Sequence, residues 1–145
     1  MDTTIDDLAR FAAALISGSL LSADSAQAMT HPQLPITTRT QFPTLQPDVP
    51  AAQRGDAIAA GLGVIVFEGP QGPGIFKGGH NDSTGNTLVC VQRGRRCALL
   101  LANDVRAEAA FPYLVRAVLG ETGVPWRWEY GDLDLWDGTH RDATP

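Results

Sequence analysis

The sequence predicts an α+β fold: an antiparallel sheet of three to four strands, with a packed C-terminal helix and N-terminal helices. Three observations carry this. Apolar residues near the start recur at helical spacing, short β-branched runs separated by Gly-rich turns occupy the centre, and helical spacing returns after the last run. The chain has 145 residues, 43% hydrophobic and 19% charged, enough for one core and one domain.

From Asp2 to Ser17, Ile5, Leu8, Phe11, Ala12, Leu15 and Ile16 form one apolar stripe, the mark of an amphipathic helix. Thr4 is the expected cap, Asp6 and Asp7 suit the positive end, and Gly18 is the stop. A second helix is expected over Ala23–Met29, capped by Ser22 and ended by His31-Pro32. Residues 1–29 thus read as a helical segment. Residues 30–60 read as a connection, because Pro32, Pro35, Pro43, Pro47 and Pro50 exclude a long helix and leave room only for brief extended pieces.

Residues 61–131 hold the sheet. Gly61–Phe67 reads as a strand, Glu68–Gly74 as a turn, and Ile75-Phe76-Lys77 as a second short strand before a Gly- and Asn-rich stretch, Gly78–Asn86. Thr87–Gln92 and Arg96–Ala102 form a hairpin about Arg93-Gly94-Arg95. Leu99-Leu100-Leu101 is apolar at every position, so both its faces should be covered. Arg106–Leu119 follows as a helix, with Pro112 in its first turn and Gly120 beyond its end. It covers one face of the sheet, and the N-terminal helices are small for the other. Trp126, Trp128 and Tyr130 alternate as in an extended piece lying on the body. Residues 132–145 read as a disordered tail.

A formal net charge of −5 denies the chain the basic surface of a nucleic-acid binder, and disfavours anionic membranes. No apolar run nears the ~20 residues of a membrane span. The acidic opening MDTTIDDLAR is unlike the basic start of a signal peptide, so the chain as it stands reads as cytoplasmic.

The most suggestive segment is Phe76–Asn86. A lysine followed by glycines at a strand end offers a charge beside bare backbone N–H groups, a combination that holds a carboxylate or an oxyanion. A plain solvated turn is the blander reading. Gly78-Gly79-His80-Asn81-Asp82 also has the look of a calcium β-roll turn, but one copy cannot complete such a site. His31, His80 and His140 have no metal-ligand spacing, and neither a metal nor a cofactor is implied. Asp82 and Asp104 pair only if the fold brings them together, and Asn103-Asp104 suits a turn and helix cap. Cys90 and Cys97 face each other across the hairpin, as two buried thiols or as a cross-strand disulfide. The aromatic trio fits an anchor to the core better than a binding platform.

The run from Asn86 through Cys90, Cys97 and Leu101 to Glu108, a hairpin leading into a final helix, resembles the end of the serine β-lactamase, penicillin-binding protein and esterase family, nearest its class C branch. The opening Thr3–Phe11 with Leu15–Leu21 is similar to a helix late in that family's helical region. The resemblance spans residues 3 to 130 and implies a partial transpeptidase-like fold. Members use S-x-x-K, Y-x-N or S-D-N, and K-T-G or a variant on a strand. Only the third has a counterpart here, Lys77-Gly78-Gly79, with Gly78 where a hydroxyl residue is usual. By resemblance Lys77 favours the substrate's negative charge, and His80 supplies an oxyanion-hole N–H or an imidazole. Gly78, Gly79 and Asn81 then line the substrate. Lys77 is the sole lysine and neither Tyr113 nor Tyr130 begins Y-x-N, so nucleophile and base are missing. The resemblance therefore implies the last part of a hydrolase of amides or esters, inactive alone and completed by an N-terminal chain. Small molecules or peptides would be substrates only of the complete protein, and such proteins are often exported. The contrasting expectation is a noncatalytic module that binds a partner protein.

Overall fold

The computed structural model describes residues 3–54 and 57–131, so the expected disordered tail lies outside the described residues. Helix α1 spans Ile5–Ser17; the Thr4 side chain accepts from the Asp7 N–H, and Gly18 ends the helix at φ 77°. Helix α2 spans Ala23–Thr30 and is capped by the Ser22 hydroxyl. Both start where short polar side chains satisfy otherwise unpaired N–H groups.

The sheet has six strands where three or four were expected. They are β1 Leu34–Pro35, β2 Ile58–Ala60, β3 Ile65–Gly69, β4 Gly72–His80, β5 Gly85–Val91 and β6 Arg96–Ala102, in consecutive antiparallel order. The extra strands are β1 and β2, both within the proline-rich connection. At two and three residues they are too short to show a period of two; β2 is a strand because it pairs with β3, and β1 because it pairs with β2. Strand β4 is longer than its apolar core suggests. It runs on through Gly78 and Gly79, which pair with Thr87 and Asn86.

Alternation along the strands divides the side chains between two faces. One face carries Ile58, Phe67, Phe76, Val89, Val91 and Ala98, under Val115 and Leu119 of helix α3 (Phe111–Leu119), with Val124, Trp126 and Trp128. Phe76 is 1% exposed and meets both Phe67 and Trp128 at 6.3 Å between ring centroids. The other face carries Val66, Ile75 and Cys90 beneath Leu15, Ile16 and Met29 of α1 and α2. That filling is incomplete, since a cavity of about 440 Å³ remains between these helices and the sheet.

Three local expectations are corrected. The helix expected over Arg106–Leu119 is split: Val105–Ala110 is a 3₁₀ segment, and only then does α3 begin. Pro112 has no N–H to give the Glu108 carbonyl, so the α ladder cannot run through it. The Phe111 N–H bonds that carbonyl at 3₁₀ spacing instead. The aromatic trio lies on a short helix, α4, Trp126–Tyr130, and not on an extended piece. One helical turn stacks Trp126 on Tyr130 at 6.0 Å and sends Trp128 into the core, where its Nε1–H donates to Thr38 Oγ1. Of the two cysteine readings, the disulfide is the one formed, between opposed Cys90 and Cys97 with Cα atoms 4.1 Å apart.

Two outcomes check this packing. Phe76→Ala removes the ring that joins Phe67 to Trp128 and should cost about 3–5 kcal/mol in denaturant unfolding. Alkylation without reductant should leave the intact mass unchanged, while prior reduction should add two labels.

Candidate active site

Strand β3 leaves β4 after the pair Ile65–Phe76. Lys77 to His80 are therefore bonded to β5 alone, and the far edge of this stretch is open. Alternate backbone N–H groups there face no strand. Lys77 is exposed, and its Nζ donates to the Gly78 carbonyl at 2.5 Å. The lysine charge thus lies along the free edge of the strand that carries it.

Gly78 is buried because a carboxyl group sits against it. A Cβ at Gly78 would collide with Glu129 Oε1, and one at Gly85 would collide with the Glu108 carboxyl. Both glutamates are almost fully buried, Glu108 at 4% and Glu129 at 6% exposure. His80 lies among them, its Nδ1 3.5 Å from Glu108 Oε1 and its ring 6.4 Å from that of Phe42. Among the described residues Glu108 Oε1 and the Tyr130 hydroxyl are buried without a hydrogen-bond partner.

Burial sets the electrostatics here. It raises the Glu129 pKa above the usual carboxylate value, a rise opposed by Lys77 and His80 and aided by Glu108. Burial likewise raises Glu108, with His80 opposing. It also pushes up the Tyr130 phenol, with help from both carboxylates. Removing a charge from water disfavours its ionised form, and a nearby cation recovers part of the loss.

The expected site residues divide. Lys77, Gly78, Gly79 and His80 share the open stretch of β4. Asn81 stands in the adjoining turn, where its Oδ1 accepts from the Ser83 and Thr84 N–H groups at 2.8 and 2.9 Å. That oxygen is committed to the turn. Asp104 caps the 3₁₀ segment and is held at about 2 by hydrogen bonds from the Arg106 side chain and backbone. His31 is exposed beside the Pro32 carbonyl. Among the described residues no group of three or more His, Cys, Asp or Glu is placed to hold a metal, and no helix is long and apolar enough to cross a membrane.

Glu108, Glu129 and Tyr130 were not legible as site residues. A lone glutamate reads as a solvated side chain, and the only available signal was indirect. Glycines inside a strand run, such as Gly78 and Gly85, mark close approach of another group.

The chain matches no family model, no curated protein and no solved structure.

Two outcomes test this geometry. Gly78→Ala should destabilise by about 1–3 kcal/mol through the clash with Glu129, and Glu129→Ala in the same chain should restore much of that loss. For pH the sign follows from the raised carboxyl pKa values. The folded state holds these protons more tightly than the unfolded chain, so the associated stability is present below the unfolded value and lost as pH rises through the folded one. Unfolding followed as pH rises above the ordinary glutamate value of about 4.3 should therefore show this contribution to stability falling, and Glu129→Gln should flatten that slope.

Proposed function

We propose that this chain is the C-terminal part of a serine hydrolase of the β-lactamase, penicillin-binding protein and esterase family. In the complete protein an amide or ester would be cleaved through an acyl-serine. One observation carries the reading: Lys77, Gly78 and Gly79 run along an open strand edge, and an antiparallel hairpin and a sheet-packed helix follow in order. A fixed ammonium beside unpaired backbone N–H groups suits negative charge developing on an acyl oxygen, where preorganised donors act most strongly. The Cys90–Cys97 disulfide supports an oxidising compartment.

The nucleophilic serine and the lysine that activates it come from elsewhere, because the single lysine cannot belong to both S-x-x-K and the β4 site. A complementary N-terminal chain is the proposed source. Among the described residues strand β6 ends the sheet, and no strand pairs with its outer edge. Beside it Leu101 is 44% exposed, and α1 and α3 leave Phe11 and Val118 exposed. From Ala98 to Ala102 the edge carries no charged side chain, and an apolar edge of that kind invites another strand. The same edge favours the second reading, a noncatalytic module that binds a partner protein.

Co-expression with a family N-terminal region carrying S-x-x-K and Y-x-N separates the two. Covalent labelling of its serine by a fluorescent β-lactam should appear only when this chain is present. Lys77→Ala should reduce the labelling rate by about 10²–10³-fold. Binding of such a partner without any acylation would move the noncatalytic reading ahead.

A further inference from the structure

We propose that His80 is a proton acceptor of this site and that Glu108 is its positioning residue, holding the imidazole as the Nδ1–H tautomer with Nε2 bare. The inference rests on the hydrolase reading for its acyl substrate, but the geometry of the pair stands without it.

Glu108 is carried into the interior by the 3₁₀ segment Val105–Ala110, whose start is fixed by the Asp104 cap. Gly85 makes room for its carboxyl group. At 4% exposure, with Oε1 lacking a hydrogen bond, the carboxylate is costly to keep. Nδ1 of His80, 3.5 Å away, is the group placed to relieve it. A neutral imidazole has one N–H, and the hydrogen bond made by one ring nitrogen decides the state of the other. Donation from Nδ1 leaves the Nε2 lone pair free, and at 36% side-chain exposure the ring remains open to solvent.

Other groups facing the ring agree with this. From α4, Glu129 adds a second negative charge, and Lys77 lies on the same strand. Phe42 contributes an apolar ring. A buried carboxylate behind an imidazole with a solvent-facing nitrogen has the geometry of a general base. The step it serves balances within hydrolysis. Nε2 takes a proton from water as the water oxygen bonds the acyl carbon. The bond from that carbon to the leaving alcohol oxygen breaks, and the alcohol oxygen recovers the proton from Nε2. Glu108 serves in its carboxylate form, as the acceptor of the Nδ1–H.

The test uses this chain with labelled ¹⁵N-histidine in mildly basic solution. His31→Gln and His80→Asn assign the ring signals. The expected result is a protonated Nδ1 and a bare Nε2 at His80, shifting to the Nε2–H form in Glu108→Leu. Glu108→Ala serves if the leucine variant does not fold. An Nε2–H tautomer in the unaltered chain, or no change in either variant, overturns the positioning role. Proton acceptance is read from p-nitrophenyl acetate hydrolysis. The rate increment lost in His80→Asn should also be lost when Glu108 is replaced, and its survival there overturns the pair as a unit. Neither measurement needs the complementary chain, so a failure here is distinct from a failure of the acylation experiment.

Discussion

The ladder between β4 and β5 is the constraint on which the rest of this structure depends. It runs from Gly74–Val91 to His80–Gly85 without a break, and its register decides which side chains meet. Because side chains alternate with a period of two, a slip of one residue would exchange every inward and outward position. Phe76 and Val89 would leave the core, and Lys77 would turn from the surface toward the buried carboxylates. Gly78 and Gly85 would no longer stand where Glu129 and Glu108 need room. Core packing and site geometry are therefore consequences of one register.

The site is built against local stability. Two carboxyl groups are withdrawn from water at one end of the sheet, and their raised pKa values follow from that withdrawal. A chain selected for stability alone would place apolar side chains there, since a buried charge without full pairing is seldom favourable. Departures of this kind concentrate where a fold does chemistry. Here they surround the single lysine and an imidazole, on the stretch of β4 that has a neighbour on one side only.

The two faces of the sheet differ in how well they are filled. Beneath α3 and α4 the aromatic rings of Phe67, Phe76 and Trp128 close the core. Beneath α1 and α2 a cavity lined by Leu15, Ile16, Met29, Val66 and Ile75 persists. Empty volume forfeits contacts that a tightly packed interior would make. The loosely held helices and the unpaired β6 edge lie together, since α1 packs on β6. The incompletely filled face of the sheet and its β6 end are thus neighbours.

What the sequence determined by itself was local. The caps at Thr4 and Ser22, the stop at Gly18, the hairpin placing Cys90 opposite Cys97, and the α+β order all follow from interactions between residues close along the chain. Helical and strand periods make such interactions visible over a few turns or a few residues. The tertiary structure decided what distance along the chain conceals. The pairing of β1 and β2 depends on β3, more than twenty residues beyond Pro35. The helical turn of Trp126–Tyr130 brings Glu129 to Gly78, and the 3₁₀ segment forced by Pro112 brings Glu108 to His80. The environment of each carboxyl group is set by the backbone it is buried against, and no spacing within its own segment encodes that.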